Sequence, residues 1–155
     1  MIKRIAVMTT GGDAPGMNAA IRAVVRTAVK NNTEIFGIEE GFKGLLKGLF
    51  KPMDSKSVSN IINKGGTILK TVRCPEFKRP DVRKKAYDNI KKTCIDGIVV
   101  IGGDGSRMGA WTVTKETKIP TFFIPASIDN DVYGTELTIG FDTSVNVALE
   151  AIDKI

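Results

Sequence analysis

The sequence predicts an α/β fold, a three-layer arrangement in which a parallel sheet carries helices on both faces, and three observations predict it. Apolar runs of strand length alternate from end to end with stretches of helical periodicity. One run, Ile95 to Ile101, is almost continuously apolar, as a strand buried on both faces must be. Glycine-rich loops follow the apolar runs where a parallel sheet would turn into its crossover helices. No internal repeat or Pro/Ser linker divides the 155 residues, so they read as one domain. A chain of that size buries about 68–70% of the surface its unfolded form exposes and needs no disulfide or structural metal.

The elements follow in order. Ile2 to Met8 reads as a first strand and leads into Thr9-Thr10-Gly11-Gly12-Asp13-Ala14-Pro15-Gly16. Met17 to Lys30 has helical character, with Ala20, Ile21, Val24, Val25 and Ala28 on one face and Arg22 and Arg26 on another. Glu34 to Ile38 reads as a second strand, followed by a glycine-punctuated region from Gly41 to Gly48. Asp54 is placed to cap a helix carrying Val58, Ile61 and Ile62 that stops at Gly65-Gly66. Thr67 to Leu69 is a short apolar stretch, and Pro80 starts a helix with Val82, Ala86 and Ile90 along one face through Lys92. After the strand Ile95 to Ile101, a helix runs from the Gly102–Ser106 loop to about Glu116. Pro120 to Ile124 is a last strand, and Thr143 a cap for a final helix with Val145, Leu149 and Ile152 on one side.

Composition narrows the chemistry. The chain has no histidine, which excludes imidazole bases, Ser/His/Asp and Cys/His machinery and histidine metal sites, so a general base must be a carboxylate, lysine, tyrosine or thiolate. Cys74 and Cys94 form no CxxC pair, and reduced thiols in a cytoplasmic protein are the expectation. No charged and apolar leader opens the sequence and no apolar run reaches the length of a membrane span. Net charge is +6, and its distribution is uneven: Phe42 to Lys92 carries fourteen basic against four acidic residues. Such a stretch attracts polyanions or is simply a solvated face. Phe42, Phe50, Phe77 and Tyr87 are irregularly spaced within it, which argues against a nucleic-acid stacking surface.

Three loops leave strands at their carboxyl ends, the edge along which open α/β sheets bind ligands. Gly11-Gly12-Asp13 precedes a helix, so backbone N–H groups and the helix end can face a phosphate, although the loop is neither a GxGxxG fingerprint nor a P-loop and also reads as a tight turn. Gly102-Gly103-Asp104-Gly105-Ser106 combines close backbone approach with a carboxylate suited to Mg²⁺, or else is a turn with Asp104 as N-cap. Asp129 and Asp131 lie two apart, so extended backbone would point both the same way. Such a pair can divide proton acceptance from the positioning of metal or water, and an Asx-rich turn is the alternative.

Together these elements resemble the ATP-dependent 6-phosphofructokinase family. The resemblance rests on Gly11 to Ala19, Ser57-Val58-Ser59, Asn63 to Thr67, Arg73-Cys74-Pro75-Glu76-Phe77, Ile101 to Ser106, Ile128 to Asp131 and Thr138 to Phe141. It spans the whole chain yet covers only the first, nucleotide-binding half of the family's subunit. The expected organisation is therefore one ATP- and Mg²⁺-binding domain over residues 1–155, with the sugar-phosphate-binding half absent.

The resemblance implies roles. Gly12 approaches the nucleotide phosphates, Arg73 and Cys74 line the nucleotide site, and Gly103, Asp104, Gly105 and Ser106 hold the phosphates, with Asp104 on Mg²⁺. Ser127, Asp129 and Asp131 face the sugar, Asp129 accepts the proton of the fructose 6-phosphate 1-hydroxyl, and Arg73 stabilises charge on the transferring group. Gly105 and Ala126 stand where the family's pyrophosphate users have a bulkier acid and a lysine, which favours ATP. Arg22 and Arg26 match effector-site arginines for ADP or phosphoenolpyruvate, with Ser55 where bacterial members often have arginine. Ser127 replaces the usual threonine, and Phe42 a tyrosine near the adenine. A homo-oligomer is implied where the second half is supplied, and a nucleotide-binding module without turnover is the alternative function.

Overall fold

The computed structural model describes residues 2–155. Five strands form one sheet in the order β3-β2-β1-β4-β5: β1 (Arg4–Thr10), β2 (Glu34–Ile38), β3 (Phe50–Met53), β4 (Gly97–Gly102) and β5 (Thr121–Pro125). The strands β2, β1, β4 and β5 run parallel, whereas β3 is an antiparallel edge on β2. The sheet is therefore mostly rather than wholly parallel. Pro52 sits in β3, where an edge strand tolerates the lost donor.

Side chains alternate across β1 and divide the core. Ala6 and Met8 face one layer with Ile98 and Val100, against Leu45, Ala86, Ile90, Ala110 and Val113. That layer is built by α2 (Gly41–Lys47), α3 (Pro80–Lys92) and α4 (Asp104–Thr117). Val7 and Ile101 face the opposite layer, where α1 (Met17–Lys30) buries Met17, Ile21, Val25 and Ala28. The two-residue period of the strands thus fills both faces, as the three-layer expectation required. The last helix, α5 (Phe141–Asp153), buries none of its residues.

Several local expectations are corrected. The first strand lies two residues later than its apolar run suggests, beginning at Arg4. The Gly41–Gly48 region holds the helix α2 and leads into β3, neither of which the glycine pattern announces. Residues 54–64 form successive turns instead of a helix. Ser57 N–H does donate to Asp54 Oδ1 at 2.8 Å, but Asn60 at φ 55° leaves the helical region before a second turn can form. Val58 and Ile61 are buried nonetheless, under α1. The final helix starts at Phe141, not after a Thr143 cap: Gly140 at φ 103° is its N-cap, packed where a Cβ would lie 2.8 Å from that of Ala14. Thr67 to Leu69 lies in a loop, with the Leu69 carbonyl accepting from Glu40 N–H at 2.8 Å.

Candidate nucleotide-phosphate cleft

The chain order reverses at β1, whose neighbours are β2 on one side and β4 on the other, and a crevice opens beyond such a switch point. Here the loops leaving β1, β4 and β5 line a cleft of about 1180 Å³ with the arm 73–78. The cleft brings together Gly12, Arg73, Cys74, Gly103, Asp104, Gly105, Ser106, Ser127, Asp129 and Asp131, all singled out from sequence. Arg22 and Arg26 are elsewhere. Arg22 Nη1 donates to the Val58 carbonyl at 2.6 Å, and Arg26 lines a separate hollow of about 390 Å³ with Lys30 and Ser55. Helix α1 descends from the cleft edge over fourteen residues, about 21 Å, so its last turn lies toward the opposite edge of the sheet.

The floor of the cleft is made of backbone. A Cβ on Gly12, Gly103 or Gly105 would meet no atom within 4 Å, so the space beside these glycines is open for a ligand. Gly103 is the N-cap of α4, whose unpaired N–H groups and positive end suit an anion. Ser106 joins the two glycine loops: its buried hydroxyl donates to the Thr10 carbonyl at 3.1 Å and its N–H to the Gly103 carbonyl at 3.0 Å. Its part in the site is thus to fix the spacing of the loops. Asn18, also buried, donates to the Lys64 carbonyl at 3.0 Å and accepts from Ile68 N–H at 2.9 Å, which ties the 64–68 loop to α1.

Asp104 is not the helix cap, since no side chain caps α4. It pairs with Arg107 at 2.8 Å, and both guanidinium contacts fall on Oδ1. Oδ2 makes no hydrogen bond among the described residues, which leaves it for a cation. No group of three or more carboxylate or thiol side chains converges among those residues. That donor set fits Mg²⁺ presented with a polyphosphate, since this ion takes one or two protein carboxylates and fills its remaining positions with phosphate and water.

The third loop departs from the extended backbone expected of it. It turns at Asn130, whose φ of 52° is left-handed, and whose Oδ1 accepts from Thr138 N–H at 2.9 Å while Nδ2 donates to the Glu136 carbonyl at 3.0 Å. Ser127 Oγ donates to Asp131 Oδ1 at 3.1 Å and accepts from Asp129 N–H at 3.1 Å. Asp131 therefore braces the loop, while no hydrogen bond to the Asp129 carboxylate forms among the described residues.

The remaining wall is the arm. Pro75–Lys78 forms a 3₁₀ turn whose Phe77 ring stacks on Phe42, with centroids 4.3 Å apart. Burial, reinforced by the nearby Glu76, pushes the Cys74 thiol up to about 11. Sequence reasoning missed Arg83 and Glu116, which also line the cleft. Arg83 is 7% exposed. It is the one arginine on a face shared with Ala86 and Ile90, and a charge on that apolar stripe was the available signal. Met108, Gly109 and Trp111 of α4 were also missed as lining residues.

An open, mostly parallel α/β sheet with glycine floors and a helix N-terminus at its switch-point crevice is the class of architecture whose crevice can accept a phosphate. The comparisons narrow that class. The family model described as Phosphofructokinase matches residues 4–155. The chain belongs to the phosphofructokinase family. It is 54% identical over 154 residues to the ATP-dependent 6-phosphofructokinase 2 of Bacteroides thetaiotaomicron, covering 99% of this chain and 47% of that protein. It is likewise 54% identical over 155 residues to the ATP-dependent 6-phosphofructokinase of Staphylococcus epidermidis, covering 99% and 48%. The chain thus spans about half the length of the curated relatives it matches. Phosphofructokinase of Pichia pastoris, solved in the T-state, superposes with a TM-score of 0.91 at 38% identity, over 99% of this chain and 18% of that one. A pyrophosphate-dependent phosphofructokinase from Marinobacter aquaeolei shares the fold at 21% identity, with a TM-score of 0.75 over 90% of this chain and 37% of that one.

Proposed function

We propose that the chain forms the nucleotide-binding part of an ATP-dependent 6-phosphofructokinase, which transfers the γ-phosphoryl group of ATP to the 1-hydroxyl of fructose 6-phosphate. The observation that carries this reading is the convergence on one cleft of the open glycines 12, 103 and 105, the α4 N-terminus, Asp104 and Asp129. On this reading residues 1–155 act as one ATP-binding unit that carries Ser127, Asp129 and Asp131 toward the sugar, and most of the other sugar-phosphate contacts come from sequence beyond it.

On this reading the residues of the cleft divide the labour among them. Backbone N–H groups at the glycine floors hold the polyphosphate, and Gly105 and Ala126 leave room for the α-phosphate that pyrophosphate lacks. Asp104 offers Oδ2 to Mg²⁺, which when bound offsets charge on the β- and γ-phosphates. Asp129 accepts the proton of the sugar hydroxyl as its oxygen forms the new P–O bond and ADP departs with the electrons of the old one. Arg73 stabilises charge on the transferring group, and Ser127 and Asp131 hold the loop that carries Asp129. The Arg26, Lys30 and Ser55 hollow is the candidate effector site for ADP or phosphoenolpyruvate, with Arg22 supporting it from the neighbouring turn of α1. Among the described residues no helix is long and apolar enough to cross a membrane, and a cytoplasmic homo-oligomer completes the reading.

The test is ADP release from Mg·ATP by the purified chain, with and without fructose 6-phosphate, beside an Asp129→Asn variant. Sugar-dependent release that the variant loses supports the kinase reading. Release unaffected by the sugar, or retained in the variant, overturns the assigned role of Asp129. A chain that binds Mg·ATP but releases no ADP in the presence of the sugar is the module without turnover.

A further inference from the structure

The cleft is closed on one side by a short arm that has little structure of its own. Its 3₁₀ turn spans only Pro75–Lys78 and has no side-chain cap, yet Cys74 and Arg73 hang directly from its start. Beside the stack of Phe77 on Phe42, a buried arginine from the next helix holds it. Arg83 Nη1 donates to the carbonyls of Phe77 at 3.1 Å and Lys78 at 2.7 Å, which end the turn. The other side of the same guanidinium grips α4: Nε donates to Glu116 Oε2 at 3.0 Å and Nη2 to Glu116 Oε1 at 2.5 Å. Tyr87 Oη donates to Glu116 Oε2 at 2.5 Å and steadies the carboxylate. The bidentate geometry is one that lysine cannot reproduce.

Glu116 belongs to the same helix whose first turn carries Asp104 and Gly105. Twelve residues separate Asp104 from Glu116, about 18 Å of helix, so one rod holds the phosphate loop at one end and the arm at the other. The cleft also has an apolar side, formed by Phe77 of the arm with Phe42 and Met108, a surface suited to an aromatic base and not to phosphate. We propose that Arg83 and Glu116 are positioning residues, a latch that fixes the 73–78 arm relative to the phosphate loop and thereby sets affinity for the nucleoside moiety of a bound nucleotide, not for its polyphosphate. This rests on reading the cleft as a nucleotide site.

The experiment titrates Mg·ATP and Mg·tripolyphosphate calorimetrically into the wild-type chain, Arg83→Lys and Glu116→Gln, with Tyr87→Phe as the mildest change. Losing charge-assisted hydrogen bonds should raise Kd for Mg·ATP about tenfold in the first two variants and leave tripolyphosphate within about twofold. A merely structural latch would weaken both ligands alike. Equal weakening of both, or an unchanged Kd for Mg·ATP, overturns the proposal. If Arg83→Lys does not fold, Glu116→Gln, which keeps the shape of the carboxylate, carries the test alone. Failure of the wild type to bind either ligand overturns the nucleotide reading instead, and the latch is then read from the alkylation rate of Cys74 relative to Cys94. A faster Cys74 rate in the variants supports a released arm, and an unchanged rate overturns the latch.

Discussion

The two walls of the cleft are built by opposite means. The floor beside β1 and β4 is backbone: Gly12, Gly103 and Gly105 present peptide groups to open space, and buried Ser106 ties one loop to the other. The opposite wall is a four-residue turn held by side-chain charge, with Arg83 bridging two carbonyls and Glu116. A wall of the first kind is sensitive to any added atom and indifferent to pH. A wall of the second kind tolerates changes in its exposed residues but depends on the charge of one carboxyl group.

The largest expected effect comes from adding a side chain to the floor. Gly105→Asp should weaken Mg·ATP binding roughly 100-fold, because a carboxylate would then occupy the phosphate space and repel the phosphates. The fold should survive, since a Cβ there meets nothing within 4 Å and an acid in the first turn suits the helix N-terminus. Calorimetry for binding and thermal melting for stability check both halves.

On the arm side the two thiols should separate. With its thiol pushed up to about 11 by burial, Cys74 should react with iodoacetamide at pH 7.5 at least about tenfold more slowly than exposed Cys94, and Mg·ATP should slow it further. Mass spectrometry of a labelling time course reads both rates. Equal rates would mean that the arm does not shield Cys74.

Acid should undo the arm but spare the floor. Hydrogen bonds from Arg83 and then Tyr87 hold the Glu116 carboxyl down at about 2, from an ordinary 4.5. Its stabilising contribution is complete above pH 4.5 and is lost as pH falls toward 2. Partial exposure of Glu116 screens part of the effect, leaving about 1–2 kcal/mol. Denaturant midpoints across pH 2–5 should fall more steeply for the wild type than for Glu116→Gln; parallel curves would contradict the assignment. The smallest effect serves as a reference: the exposed Lys154–Glu150 pair lies far from both walls in sequence, and Lys154→Ala should leave the melting temperature unchanged.

The same contrast explains how much could be read from sequence. The backbone wall was legible because glycines and an acid at strand exits follow local rules, and the cleft gathers Gly12, Gly103, Asp104, Gly105 and Asp129 as those rules imply. The strand β4 and helix α3 were legible for the same reason, through a continuous apolar run and a proline at a helix start. The side-chain wall was not, because Arg83 and Glu116 meet across 33 residues and no local pattern pairs them. The turns at 54–64 show a different failure: Asp54 accepts from Ser57 N–H as a capping residue does, but no helix follows, because Asn60 adopts a left-handed conformation that capping rules do not anticipate. Helix α5 exposes Val145, Leu149 and Ile152, so its apolar spacing announced a face without announcing what covers it.

Whether the glycine floor holds nucleotide phosphates is decided by one calorimetric comparison: Mg·ATP titrated into the wild-type chain and into Gly105→Asp. A nucleotide-phosphate floor should give saturable binding to the wild type and roughly 100-fold weaker binding to a variant that melts at the same temperature. Equal affinity in the two proteins, or no binding to a folded wild type, would contradict it.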